Sequence, residues 1–135
     1  DFKDSVKRFA SSTESQCMLI TQENIFDLYK NQFNDLSNIS NVNIFLIDEG
    51  EKAKSFDSTI SIVNEMADKR FDRSSLVLAI GGGVVGDIAG FAASIYMRGV
   101  KYIQYPTTLL AMVDSSIGGK TGINLKDGKH VKNIY

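Results

Sequence analysis

The fold of this chain is decided by residues 76–87, which read LVLAIGGGVVGD. The residues from Leu76 to Ile80 are apolar without a break, as in a strand that is buried on both faces of a parallel sheet. Three consecutive glycines follow, and from Ile88 onward apolar residues return at helical spacing. The stretch therefore predicts a strand, a glycine turn and a helix in succession.

The glycine turn has the pattern of a phosphate-binding turn. Gly81, Gly83 and Gly86 match G-x-G-x-x-G in the strand–turn–helix context that this fingerprint requires. Such a turn brings backbone N–H groups and a helix N-terminus to one point, where they can bind a phosphate. The alternative is that these glycines only let the chain turn and let the helix pack closely on the strand.

The ribose of a dinucleotide would need a carboxylate from an unusual place. The ordinary dinucleotide fold supplies one about 20 residues beyond the glycines, but residues 101–106, KYIQYP, contain no acid. The candidate lies upstream, in residues 49–54, EGEKAK. A charged loop in solvent is the alternative interpretation of those residues.

Composition bounds the class of protein. A chain of 135 residues, 43% hydrophobic and 23% charged, can form one domain with a substantial core. A net charge of −1 gives no general attraction to nucleic acid or to a membrane surface. Cys17 lies in an apolar run and is predicted to be a buried strand thiol, and one Cys with one His makes a zinc site built from this chain improbable. No apolar run approaches the roughly 20 residues that span a bilayer, so we expect a cytoplasmic protein; the missing initial Met suggests a fragment.

Strand and helix patterns alternate along the chain, which predicts an α/β fold with a Rossmann-like parallel sheet flanked by helices. Thr21 is predicted to cap the first of these helices, with Asn24 in its first turn. Residues 34–41 are predicted to be a loop, residues 1–14 a short helix or a fraying end, and residues 115–135 irregular or short hairpin strands. The predicted strands are 18–21, 42–48, 76–81 and 102–105, and the main predicted helices cover about 25–29, 56–66, 88–97 and 107–113.

Two hydroxyls and a carboxylate follow the last predicted strand. Thr107 and Thr108 come directly after Pro106, and at a helix start they could bind a phosphate or a ribose, or Thr107 could simply cap the helix. Asp114 lies seven residues after Thr107, which puts both on one face of a continuous helix. An acid near a helix C-terminus opposes the helix dipole, so a ligand is one reason for its position.

Residues 118–121, GGKT, resemble the end of a P-loop. The full motif needs a glycine where this chain has Asp114, and a strand where it has a helix pattern, so we exclude it. What remains is a glycine turn that presents Lys120, with Lys129 soon after it. Clustered lysines in a chain that is not basic overall suit an anionic small molecule such as a phosphate, although a solvated loop is the alternative.

Five motifs in this order resemble the 3-dehydroquinate synthase family: GGGVVGD at 81–87, RG at 98–99, PTTLL at 106–110, VDSS at 113–116 and GGKTGIN at 118–124. The resemblance implies that residues 1–135 are the N-terminal NAD-binding domain, without the helical, metal-binding C-terminal domain. It implies a carbon–oxygen lyase of the shikimate pathway of aromatic amino acid biosynthesis. That enzyme cyclises a sugar acid phosphate, 3-deoxy-D-arabino-heptulosonate 7-phosphate, to 3-dehydroquinate with loss of phosphate. NAD, a divalent metal (zinc or cobalt) and a cytoplasmic homodimer are implied as well.

The resemblance also implies the functional residues. Asp114 and Lys120 would be catalytic, and Lys120, Arg98 and His130 would bind the substrate phosphate, Arg98 in a neighbouring subunit. The family commonly has Asn at the position of His130, and often Asp at the position of Gln22 close to Asn24. The metal ligands would lie beyond Tyr135, with none in this chain. The cofactor-binding residues would be Asn24, Glu51, Lys54, Gly82, Gly83, Val84, Gly86, Asp87, Thr107, Thr108, Asp114, Lys120 and Lys129.

Two other classes of function stay open on the residues. One is another enzyme of the same fold, either a related sugar-phosphate cyclase or a polyol dehydrogenase. The other is a non-catalytic nucleotide-binding module, and we expect the isolated chain to be inactive as an enzyme.

Overall fold

The computed structural model describes residues 1–126 and 131–134. Its centre is a parallel sheet with the strand order β2-β1-β3-β4. The predicted α/β fold with a parallel sheet flanked by helices is therefore confirmed. The four strands are Cys17–Gln22 (β1), Val42–Ile47 (β2), Leu76–Gly81 (β3) and Lys101–Pro106 (β4).

Six α-helices accompany the sheet in the described part of the chain, with short 3₁₀ turns at Glu51–Ala53 and Tyr96–Arg98. A small antiparallel hairpin pairs Ile123–Lys126 (β5) with Val131–Ile134 (β6), in agreement with the hairpin predicted for this region. No helix of the described residues is long and apolar enough to cross a membrane. The helices are Phe2–Ser12 (α1), Glu23–Leu28 (α2), Lys30–Ser37 (α3), Phe56–Asp68 (α4), Gly83–Ile95 (α5) and Leu109–Val113 (α6).

The sheet is buried on both faces. Met18 and Ile20 of β1 pack in one cluster with residues of α4 and α5, while Cys17 and Leu19 pack in a second cluster with residues of α1 and α3. Side chains alternate between the faces of a strand, so a central strand covered on both sides must be apolar throughout. This explains the unbroken apolar run of β3, which lies beside β1.

Cys17 is completely buried in β1, as predicted, and burial raises the pKa of its thiol to about 12. A thiol with so high a pKa stays protonated and unreactive at neutral pH.

The region 34–41 is not all loop, and that prediction is wrong for its first half. The helical segment after β1 breaks at Tyr29, and α3 then runs from Lys30 to Ser37. Phe33 and Leu36 lie three residues apart and are fully buried. Packing of this narrow apolar stripe outweighs the weak helix propensity of the surrounding Asn, Asp and Ser residues.

Thr21 does not cap α2, so that prediction is also wrong. Thr21 belongs to β1, and its buried hydroxyl donates to the carbonyl oxygen of Ile80 at 2.7 Å. The N-cap of α2 is Gln22, which makes no side-chain cap hydrogen bond. A buried hydroxyl needs a partner, and the neighbouring strand supplies one that the chain order does not reveal.

The helix after β4 is shorter than predicted. Thr108, not Thr107, is the N-cap of α6, and its hydroxyl oxygen accepts from the Ala111 N–H at 3.1 Å. Thr107 is instead bonded to the sheet, because its N–H donates to the Gly81 carbonyl oxygen at the end of β3 at 2.9 Å. Asp114 is the C-cap of the five-residue α6. The prediction that Thr107 and Asp114 share a helical face is therefore wrong, because Thr107 lies outside the helix.

Candidate nucleotide site

The glycine turn connects β3 to α5 as predicted. Gly82 is the N-cap of α5 and provides no side-chain cap, and the first turn of the helix contains no acidic residue. The N–H groups at the start of any helix have no partner within that helix. Here they are presented without a side-chain cap and without an acidic residue in the first turn, which is the arrangement that favours an anion.

The glycine positions of this turn differ in whether a side chain would fit there. A Cβ on Gly81 would overlap the Val85 side chain, and a Cβ on Gly86 would overlap the Gln104 amide. A Cβ on Gly83 would lie 3.8 Å from Ser115 Oγ, an ordinary contact, and neither Gly82 nor Gly83 has a positive φ. Gly81 and Gly86 are therefore required by internal packing. Internal packing does not require Gly83. A ligand that approaches the backbone closely is a physical reason for a glycine at this position.

Thr107 places a hydroxyl beside this turn, at the end of β4. Its Oγ1 is buried and has no hydrogen-bond partner among the described residues. It lines a cavity of about 370 Å³ together with Ile80, Tyr105 and Met112. A buried hydroxyl without a partner costs about 1–3 kcal/mol, so a ligand or water bonded there stabilises the protein.

The charged turn at residues 49–54 is held by the β5 hairpin. Glu51 Oε1 accepts from Asn124 Nδ2 at 2.8 Å, and the Asn124 N–H donates to the Lys54 carbonyl oxygen at 2.9 Å. Two motifs that are seventy-three residues apart are thus brought together. Asn124 was not among the predicted site residues; the only signal for it in the sequence is its position at the end of the GGKTGIN motif.

Lys54 and Asp87 are paired with each other. Lys54 Nζ lies 2.5 Å from Asp87 Oδ2, and the two side chains are 14% and 20% exposed. The pair joins the 49–54 turn to the second turn of α5. An unpaired carboxylate this close to the glycine turn would repel an anion, and Lys54 neutralises it.

Asn24 lies at the carboxyl end of β1, beside the glycine turn in the sheet order. Its side chain is exposed, and its Oδ1 accepts from the Ile25 N–H at 2.7 Å. The side chain of Gln22, two residues earlier, donates to the Asp48 carbonyl oxygen at 3.1 Å. The carboxyl ends of three adjacent strands, β1, β3 and β4, therefore carry Asn24, the glycine turn and Thr107.

Asp114 and Lys120 lie in the segment between α6 and β5 and are exposed. The Asp114 carbonyl oxygen accepts from the Ile117 and Gly118 N–H groups, each at 3.2 Å, which folds the segment into a turn. Lys129 and His130 are outside the described residues. Within the described residues, no group of three or more His, Cys, Asp and Glu side chains could hold a metal ion.

Arg98 is not brought to the other site residues of its own chain. It follows α5, a helix of 13 residues that starts at the glycine turn, so the two ends lie about 20 Å apart. Its side chain is exposed, and its backbone is left-handed with φ of 68°.

The parallel sheet and the glycine turn between β3 and α5 define a Rossmann-like α/β domain. The family model for the N-terminal part of 3-dehydroquinate synthase matches residues 44–134. The chain belongs to the 3-dehydroquinate synthase family.

Curated relatives support this membership. The chain is 52% identical over 131 residues to the 3-dehydroquinate synthase of Dictyoglomus thermophilum, a match that covers 95% of this chain and 36% of that protein. It is 44% identical over 138 positions to that of Ruminiclostridium cellulolyticum, covering 100% of this chain and 38% of the relative. The chain therefore spans little more than a third of the length of these relatives.

Solved structures show the same fold. A 2-deoxy-scyllo-inosose synthase complexed with carbaglucose-6-phosphate, NAD⁺ and Co²⁺ superposes with a TM-score of 0.77 at 26% identity, over 96% of this chain and 38% of that one. The 2-epi-5-epi-valiolone synthase of Streptomyces hygroscopicus, with NAD⁺ and Zn²⁺ bound, superposes with a TM-score of 0.76 at 32% identity. This match covers 91% of this chain and 36% of that one. A glycerol dehydrogenase from Schizosaccharomyces pombe shares the fold alone. It is 16% identical with a TM-score of 0.55, and the match covers 78% of this chain and 25% of that one.

Proposed function

We propose that this chain is the NAD-binding part of a 3-dehydroquinate synthase, which converts 3-deoxy-D-arabino-heptulosonate 7-phosphate to 3-dehydroquinate and releases phosphate. The observation that carries the proposal is the glycine turn. Gly83 is not required by internal packing, and the buried Thr107 hydroxyl lies at the same edge of the sheet. The named relatives and the NAD⁺-bound neighbours support the same reading.

The described residues fit a dinucleotide. The N–H groups of Gly83 and Val84 at the start of α5 would bind the pyrophosphate, with Gly82 leaving room for its approach. Glu51 would accept from ribose hydroxyls on the adenosine side, near Asn24. Thr107 would donate from its buried hydroxyl toward the nicotinamide half. When bound, NAD supplies a reversible hydride acceptor, so an alcohol can be oxidised and reduced again within one reaction cycle.

The charged residues divide between the cofactor and the substrate. Lys54 would keep Asp87 neutralised while the negative pyrophosphate binds beside it. Lys120 would bind the substrate phosphate, and Asp114 would orient the reacting end of the substrate next to Thr107 and Thr108. The long separation along α5 supports a proposal that Arg98 acts in the site of a neighbouring subunit of a homodimer. We propose that Lys129 and His130 complete this set, and that zinc or cobalt is bound by residues outside this chain.

Isothermal titration of this chain with NAD tests the cofactor part of the proposal. We expect saturable binding of one NAD per chain, and competition by ADP. A folded chain that shows no saturable binding would contradict the proposal.

A chimaera tests the reaction. Residues 1–134 would replace the matching part of the Dictyoglomus thermophilum relative, and the product would be assayed for phosphate and NADH. A synthase releases phosphate with no net NADH, because the cofactor is regenerated in each cycle. Stoichiometric NADH without phosphate would instead indicate a polyol dehydrogenase. NAD binding without release of either product would indicate a non-catalytic nucleotide-binding module.

A further inference from the structure

We propose that Gln104 is a positioning residue that couples the glycine turn to residues 114–121, the segment that carries Asp114 and Lys120. The inference rests on the proposed function, because it assumes that the glycine turn binds a pyrophosphate. It goes further because it assigns a positioning role to Gln104, Tyr102 and Ser115, which are not among the proposed ligand-binding residues.

Gln104 and Tyr102 reach the glycine turn from β4. They are two residues apart in a strand, so both point to the same face, toward α5. The Tyr102 hydroxyl donates to the Gly86 carbonyl oxygen at 2.8 Å. Burial and the nearby Asp87 carboxylate raise the pKa of the Tyr102 phenol well above its ordinary value, so it remains a donor at neutral pH.

Gln104 lies between the glycine turn and the 114–121 segment. Its amide packs so closely on Gly86 that a Cβ there would overlap it. Its Nε2 donates to Ser115 Oγ at 3.0 Å, and its Oε1 accepts a long bond from Tyr102 at 3.4 Å. A displacement of the first turns of α5 therefore acts directly on the Gln104 amide, and through it on Ser115.

The 114–121 segment is attached to α5 at two points. Near its start, Ser115 Oγ lies 3.8 Å from the position that a Cβ on Gly83 would occupy; at its end, Thr121 packs so closely on Gly90 that a Cβ on that glycine would overlap it. Between these points the segment borders a cavity of about 440 Å³ that Tyr102 and Gln104 also line. The Gln104–Ser115 bond thus holds the start of the segment, and the contact of Thr121 with Gly90 holds its end.

The expected consequence is that occupation of the glycine turn changes the environment of Asp114 and Lys120 without touching them. ADP is a suitable probe, because it carries a pyrophosphate and no nicotinamide ribose. In ¹⁵N–¹H spectra of the unmodified chain, ADP should shift the amides of residues 82–84 and also those of residues 115–120.

Gln104→Leu and Ser115→Ala each remove the bond. In both variants we expect the shifts at 82–84 to remain and those at 115–120 to vanish, with ADP affinity weaker by about threefold to tenfold, the effect of one neutral hydrogen bond. Ser116→Ala is the matched control, because the Ser116 hydroxyl donates to the Met112 carbonyl oxygen, outside the network. It should behave like the unmodified chain.

The outcomes separate the two proposals. If ADP shifts residues 82–84 but the shifts at 115–120 are absent from the unmodified chain, or persist in both folded variants, the coupling is wrong and the nucleotide site stands. If ADP shifts neither set in the unmodified chain, the proposed function fails, and the coupling fails with it. A merely structural contribution of Gln104 would change stability but would not remove one set of shifts selectively.

Discussion

Gly83 and Gly86 lie in the first two turns of α5, yet only Gly86 is required by a neighbouring side chain of the protein. This difference makes Gly83→Val a clean test of the nucleotide site. The protein accommodates a Cβ at Gly83, so we expect the free energy of unfolding to change by less than about 1 kcal/mol. NAD binding should be abolished, because the branched side chain blocks the approach of the pyrophosphate to the backbone.

The measurement is calorimetric titration with NAD, alongside urea unfolding. Ser61→Val, at an exposed position of α4, is the control for a β-branched residue in a helix. Unchanged NAD affinity in folded Gly83→Val would show that the glycine turn is not the pyrophosphate site.

Glu51 offers a second test at the scale of one residue. If Glu51 accepts from ribose hydroxyls, Glu51→Ala should weaken NAD binding by about 1.5–3 kcal/mol, the range for hydrogen bonds to a charged group. Glu51→Gln keeps an oxygen that can accept from Asn124, so it should retain the docking of β5 and lose part of the affinity. Glu49→Gln, an exposed acid in the same turn, is the control. A loss of less than about 0.5 kcal/mol of NAD binding in Glu51→Ala would mean that residues 49–54 form a charged loop that does not bind the ribose.

At the scale of the elements, β1 makes a pH-dependent contribution to stability. The pKa of the Cys17 thiol is raised to about 12 by burial, against an ordinary value of 9.0. In the unfolded chain the thiol loses its proton first, so this contribution is complete below pH 9 and is lost as the pH rises toward about 12.

Urea unfolding between pH 7 and about pH 10.5 measures this effect as the difference between the unmodified chain and Cys17→Ala. We expect that difference to shrink by up to about 1.4 kcal/mol for each pH unit above the unfolded pKa. A difference that does not change with pH would mean that Cys17 is not buried as the structure shows.

The elements that could be predicted are those with a strong local pattern. The apolar run of β3 and the glycines after it identify strand, turn and helix, and the structure confirms all three, but α5 begins at Gly83, five residues before the predicted start at Ile88. The start of α2 and the whole of α3 could not be predicted correctly. Their positions depend on burial of the Thr21 hydroxyl against β3 and of Phe33 against the sheet, and those are tertiary contacts.

The same limit applies to the candidate site. Sequence motifs identified Glu51, Lys54 and Asp87 one by one, and their functions stay predictions. No local pattern indicates that Lys54 pairs with Asp87, or that Glu51 binds Asn124. Both contacts join segments that meet only after the sheet has formed, so the arrangement of the site requires the whole fold.

At the scale of the whole molecule, Arg98 and Lys120 are expected to serve the same substrate phosphate from different subunits. In the chimaera with the Dictyoglomus thermophilum relative, either Arg98→Ala or Lys120→Ala should weaken a substrate-like phosphonate by about 2 kcal/mol or more and leave NAD affinity nearly intact. Mixed dimers that carry one substitution in each chain should recover one intact site. Phosphate release by such dimers is the measurement.

Arg70→Ala is the matched control, because Arg70 is also exposed and has a positive φ of 58°. It should leave phosphonate and NAD affinity unchanged. If the mixed dimers recover no activity, both side chains belong to the site of one chain, and the proposed contribution across subunits is wrong.

A crystal structure of this chain grown with NAD tests most directly whether the glycine turn binds the pyrophosphate. We expect the pyrophosphate at the N–H groups that begin α5, the Thr107 hydroxyl bonded to the ligand, and a ribose within hydrogen-bond distance of Glu51. NAD bound elsewhere, with the glycine turn and the Thr107 hydroxyl free of ligand, would contradict it.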